Sequence, residues 1–158
     1  MPDCTDVLRA KILIVDDQES NLRLLGYVFR RGGYVAVAST ANPLQVRALH
    51  LENRYDLIIL DLQMPLMNGF EVMESLQSVE AGPRVPILIL SADPAEMVRA
   101  LEAGASSFLS KPFVLDELLR HVHLMLVKAL AVNEPMVLAA VPRPRTTHSP
   151  VSHRRTAA

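Results

Sequence analysis

Three short runs in this chain are apolar without interruption: Ile12-Leu13-Ile14-Val15, Leu57-Ile58-Ile59-Leu60 and Ile87-Leu88-Ile89-Leu90. None alternates apolar with polar residues, so none can be a strand with one wet face. Such runs, rich in β-branched residues and leucine, suit strands covered on both sides, the situation of a parallel sheet wrapped by helices. Tyr34-Val35-Ala36-Val37 and Ser107-Phe108-Leu109 are shorter candidates and are placed nearer the sheet edges. Helical patterns fall between the strands. Ser20 to Arg31 carries Leu22, Leu25, Val28 and Phe29 on one face and ends at Gly32-Gly33. Asn42 to Leu51 is a weaker helix with Pro43 in its first turn. Phe70 to Val79, Pro94 to Ala103 and Leu115 to Ala131 complete the series. The expectation is a (βα)5 unit: an α/β fold, flavodoxin-like and doubly wound about a five-stranded parallel sheet.

This places an N-terminal extension at 1–10, the folded domain at 11–131 and a tail at 132–158, rich in proline, arginine, serine and threonine and expected to be disordered. The apolar island Met136 to Val141 lies inside that tail. Charge divides the same way. Residues 1–133 hold 12 Lys/Arg against 16 Asp/Glu, while the tail holds four arginines against Glu134. A net charge of −1 and 4% aromatics without tryptophan argue against a nucleic-acid platform. The basic tail is read as solvated. The single cysteine, Cys4, excludes an intrachain disulfide and a cysteine-based zinc site. No secretory signal is visible, and the longest nearly apolar stretch, Val122 to Val132, is interrupted by His123 and Lys128. A cytoplasmic protein away from the membrane is expected.

In a parallel α/β sheet, functional groups gather beyond the carboxyl ends of the strands. Here the first strand delivers Asp16-Asp17, the third Asp61, the fourth Ser91, and the fifth is followed by Lys111-Pro112. Each has an ordinary reading alone: a helix N-terminus, a turn, a cap, a solvated ammonium. Their order along one sheet edge is the signal. Three carboxylates together repel, and a hard divalent cation relieves that repulsion; all-oxygen ligation suits Mg²⁺, with Mn²⁺ a substitute. A cation there would neutralise an incoming phosphoryl group, with Asp61 as nucleophile and Ser91 and Lys111 meeting the phosphoryl oxygens.

At these residues the chain resembles the receiver (CheY-like) domain of two-component response regulators. The resemblance covers Lys11 to about Ala131 and rests on Ile14-Val15-Asp16-Asp17, Leu60-Asp61-Leu62-Gln63-Met64-Pro65, Asn68-Gly69, Leu90-Ser91-Ala92 and Lys111-Pro112-Phe113. It implies a phosphorelay signalling protein rather than an enzyme acting on other molecules. Asp61 would be the phosphoacceptor, charged by a sensor histidine kinase or a histidine phosphotransfer protein. Asp16, Asp17, Asp61 and the backbone carbonyl of Gln63 would bind the metal. Ser91 and Phe108 would form the switch, Lys111-Pro112 a cis peptide, and Gln63 and Asp93 would tune hydrolysis. A downstream protein target would read residues 94–131. A haloacid-dehalogenase-type phosphatase is the rival, but it needs a second Asp two residues after the nucleophile, where this chain has Gln63.

Only 25 residues follow Asn133, too few for an output domain with its own core. A stand-alone receiver is favoured over the receiver fragment of a longer regulator with its output domain missing. In the last helix Leu115, Leu118, Leu119, Val122, Met125 and Leu126 make a stripe for the sheet. Leu124, Val127 and Ala131 make a second, off-axis stripe that suits a partner or a homodimer. His121 and His123, two apart on a helix, make a poor metal pair.

Overall fold

The structure is a computed structural model and describes residues 2–79 and 81–133; of the tail expected at 132–158, the part beyond Asn133, with its apolar island and its arginines, lies outside the described residues. Five strands, β1 (Lys11–Val15), β2 (Ala36–Thr40), β3 (Leu57–Asp61), β4 (Ile87–Ser91) and β5 (Ser107–Ser110), form one parallel sheet in the order β2-β1-β3-β4-β5. The helices are α1 (Cys4–Leu8), α2 (Glu19–Arg31), α3 (Val46–Asn53), α4 (Gly69–Gln77), α5 (Met97–Glu102) and α6 (Leu115–Asn133).

The strand runs are apolar throughout because alternate residues face two separate cores. Ile12, Ile14, Leu57, Ile59, Leu88 and Leu90 pack with α1, α2 and α6 through Val7, Leu22, Leu25, Phe29, Leu118, Val122 and Leu126. Leu13, Val15, Ile58, Leu60, Ile87 and Ile89 pack on the other side with Val46 of α3, Val72, Met73 and Leu76 of α4, and Ala100 of α5. The hydrophobic effect thus anchors helices to both faces and leaves the carboxyl ends of β1, β3 and β4 side by side.

Several elements depart from the sequence expectation. The second strand is Ala36–Thr40 rather than Tyr34 to Val37. Tyr34 is buried before the strand begins, its ring edge-on to Phe29 at 5.7 Å, while Val35 is exposed. The chain first passes Gly33, whose φ of 96° suits glycine, and then pairs with β1 from Lys11↔Ala36 to Val15↔Thr40. As an edge strand, β2 tolerates Ser39 and Thr40. The helices expected from Asn42 and Pro94 each open with one 3₁₀ turn, Pro43–Gln45 and Pro94–Glu96, in which the side chain of Asn42 or Asp93 accepts a backbone N–H. α6 continues two residues past Ala131. Its inner stripe is narrower than expected: Leu118, Val122 and Leu126 are fully buried, but Leu115 is exposed. In the outer stripe, Leu124 and Ala131 are exposed while Val127 packs against the core. The N-terminal extension contains a helix: Val7 of α1 is buried, and the Leu8 carbonyl accepts from Val35 N–H at 3.1 Å.

Candidate functional site

Asp16 and Asp17 follow β1 directly, and Asp61 is the last residue of β3, the central strand. Each offers a carboxylate oxygen, and these oxygens lie within 4.8 Å of one another. Asp16 is buried and held from three directions. Its Oδ1 accepts from Gln18 N–H at 2.9 Å, its Oδ2 accepts from Asn21 Nδ2 at 3.0 Å, and Lys111 Nζ lies 3.7 Å from Oδ2. Lys111 Nζ is also 3.7 Å from Asp61 Oδ2, so one ammonium spans two carboxylates. Asp61 Oδ1 accepts from Gln63 N–H at 3.2 Å.

Burial raises the carboxyl pKa of Asp61 above its ordinary range. The Gln63 N–H and the Lys111 ammonium pull it down, and the nearby charges of Asp16 and Asp17 push it up again. The carboxyl therefore sits where its ionised form is only partly compensated by the protein. A cation or a bound phosphoryl group changes that balance directly.

The loop after Asp61 is pinned by close packing. A Cβ on Gly69 would lie 2.8 Å from the Asp61 carbonyl oxygen, 2.8 Å from Leu62 Cδ2 and 2.9 Å from Leu62 Cα. Only glycine allows α4 to start this near the end of β3. Gly69 N–H donates to the Leu62 carbonyl at 3.0 Å. A capping box between Asn68 and Glu71, with contacts of 2.8 and 3.0 Å, fixes the same helix start.

Ser91 ends β4 and is fully buried. Its Oγ donates to Glu96 Oε2 at 2.8 Å and accepts from Asp93 N–H at 3.2 Å. Its carbonyl accepts from Lys111 N–H at 2.8 Å, which ties β4 to the segment carrying the ammonium. The Lys111–Pro112 peptide is cis. Phe108, opposite Ile89 in the β4–β5 register, is half-buried against the core that α3, α4 and α5 cover.

Residues 12–123 match the model of the response regulator receiver domain. The chain is a member of the response regulator receiver family. It is 36% identical over 124 residues to the transcriptional regulatory protein PrrA of Mycobacterium tuberculosis, covering 77% of this chain and 52% of that protein. It is 37% identical to the transcriptional regulatory protein CusR of Escherichia coli K12, covering 77% and 53%. The chain spans about half the length of these curated relatives. Among solved structures it is similar to the receiver domain of the sensor histidine kinase PA1611 of Pseudomonas aeruginosa, whose active-site cleft coordinates magnesium. That likeness has a TM-score of 0.68 and 30% identity, over 75% of this chain and 98% of that one. The Vibrio cholerae chemotaxis protein CheY4 matches with a TM-score of 0.66 and 31% identity, over 74% and 98%.

In this receiver, Asp16, Asp17, Asp61 and Lys111 therefore stand together at the sheet edge. Ser91, the last residue of the neighbouring strand, has its hydroxyl engaged with Glu96 instead. The side chains of Gln63 and Asp93 are exposed, and Asp93 accepts from Ala95 N–H at 2.9 Å. Sequence reasoning missed Asn21 and Glu96. Neither belongs to a motif, and each acts five residues from the group it holds, a spacing that carries meaning only once the strand-to-helix turn is folded. His121 makes a short contact from Nε2 to Ser107 Oγ.

Proposed function

We propose that this receiver is a phosphoryl-operated switch in a phosphorelay. Asp61 takes a phosphoryl group from the phosphohistidine of a sensor histidine kinase or a histidine phosphotransfer protein. One observation carries the reading: the partly compensated Asp61 carboxylate lies within 4.8 Å of two further carboxylates and 3.7 Å from Lys111. The donor set is all oxygen and three-fold acidic, which fits Mg²⁺ and, as a substitute, Mn²⁺. Asp16, Asp17, Asp61 and the Gln63 carbonyl would hold the ion. Bound there, it would neutralise charge on the phosphoryl oxygens.

The chain's own residues do the rest. An Asp61 oxygen attacks phosphorus, the P–N bond of the donor breaks, and the imidazole nitrogen keeps the electron pair and takes up a proton. Lys111 pairs with one phosphoryl oxygen, and Ser91 turns its hydroxyl to another. Water later cleaves the acyl phosphate, with Gln63 and Asp93 flanking its approach. No reaction on a second substrate is required.

The readout is assigned to residues 94–131, which expose Met97, Val98, Leu101, Val114 and Leu124 for a protein target or a second copy. Phe108 links them to Ser91 by filling the space that the serine vacates. No described helix is long and apolar enough to cross a membrane, and the reading places the protein in the cytoplasm with its phosphoryl donor.

Incubation with acetyl phosphate and Mg²⁺ tests the reading. Intact mass spectrometry should show one added phosphoryl group on wild type and none on Asp61→Ala; an unmodified wild type would refute it. A second reading, a receiver belonging to a longer regulator, draws on the greater length of the relatives, of which the match covers about half. An immunoblot of the native protein near 17.5 kDa supports the stand-alone form, and a band at clearly greater mass supports the longer one.

A further inference from the structure

A serine hydroxyl carries one proton and can donate one hydrogen bond. In this structure that proton is committed: Ser91 Oγ donates to Glu96 Oε2 at 2.8 Å. The same oxygen accepts from Asp93 N–H at 3.2 Å, and the residue has no solvent exposure. Ser91 therefore cannot serve a phosphoryl oxygen on Asp61 and remain bonded to Glu96. The two acceptors are also on different elements. Asp61 ends β3, whereas Glu96 closes the 3₁₀ turn Pro94–Glu96 and is joined directly to α5.

We propose that Glu96 is a positioning residue that latches Ser91 in the unphosphorylated state, so that phosphorylation is read as the loss of the Ser91–Glu96 bond. The proposal rests on the receiver reading and adds the competitor against which the phosphoryl group must act. Both contenders are anionic acceptors, so the exchange trades one charge-assisted hydrogen bond for another. The latch makes the switch two-state, and it sets how strongly the modified Asp61 must attract the hydroxyl. Its release also has a direct mechanical path. Glu96 precedes Met97, and α5 carries the exposed Met97, Val98 and Leu101. Freeing Glu96 loosens the turn on which that apolar surface is mounted.

A double-mutant cycle tests this on the full chain, with beryllofluoride and Mg²⁺ as the phosphoryl mimic and binding followed by NMR. Glu96→Ala should bind the mimic about tenfold tighter than wild type, the effect of one charge-assisted hydrogen bond at the low end of its range. Glu96→Gln, which keeps an acceptor oxygen without the charge, should fall between them. In a Ser91→Ala background, adding Glu96→Ala should change affinity less than twofold. The same tenfold gain in that background would mean that Glu96 acts as a bare negative charge and would overturn the latch, as would no gain in the single variant. A second arm needs no ligand. The urea midpoints of Ser91→Ala and Glu96→Ala should both drop, and the double variant should be no lower than the weaker single; additive drops overturn the latch. If beryllofluoride binds wild type no better than Asp61→Ala, the receiver reading fails, and the urea cycle still decides the latch.

Discussion

At the residue scale the site is a problem of uncompensated charge. Lys111 Nζ lies 3.7 Å from a carboxylate oxygen of both Asp16 and Asp61. Replacing it with alanine should slow phosphoryl uptake from acetyl phosphate by about 100-fold, the usual effect of removing one preorganised donor; mass spectrometry over time measures the rate. The raised pKa of Asp61 also has a signed consequence for stability. Between the ordinary carboxylate range and the raised value, the native state binds more protons than the unfolded chain. Stability therefore falls as pH rises through that window. Asp61→Asn removes this fall. In EDTA its urea midpoint should exceed that of wild type near neutral pH, and the two should converge as pH drops through the ordinary carboxylate range. Parallel midpoint curves would contradict the assignment. The placement of Asp16, Asp17, Asp61, Ser91 and Lys111 at the carboxyl ends of the strands was legible in the sequence because each ends or follows a strand run. Glu96 was not, because a hydrogen bond across a 3₁₀ turn leaves no period.

At the scale of elements, the starts of helices position the chemistry. α4 begins against the backbone of Asp61 and Leu62, where a Cβ at position 69 would meet atoms at 2.8–2.9 Å. Gly69→Ala should therefore cost about 1–3 kcal/mol in urea unfolding, the range for overpacking a filled site, and should slow phosphoryl uptake by moving the acceptor loop. An unchanged midpoint would show that the loop yields freely. The three central strands were legible because burial on both faces leaves an unbroken apolar run. β2 was misplaced because apolarity and strand pairing part company at an edge. Tyr34 is buried by ring packing on Phe29, while Ser39 and Thr40 pair with β1 without being apolar. α1 was missed because five residues are shorter than two helical turns and show no repeat.

At the scale of the whole molecule, two cores back one sheet, and the site lies at the edge where both end. The N-terminal helix belongs to the first core through Val7, which is 1% exposed. Val7→Ala should lower stability by about 1–3 kcal/mol in urea unfolding, as core truncations do, without abolishing phosphoryl uptake; a change below 0.5 kcal/mol, the usual size of a surface effect, would make residues 1–10 a mere extension. The near-neutral net charge hides an acidic body and a basic tail, and three carboxylates of that body stand together at the sheet edge. The central claim is that Asp61 becomes an acyl phosphate. Borohydride reduces an aspartyl phosphate to homoserine, so reduction after treatment with acetyl phosphate and Mg²⁺, followed by peptide mapping, reads the position directly. The account predicts homoserine at position 61 and nowhere else; an unreduced Asp61, or a borohydride-stable phosphate on Ser91, would contradict it.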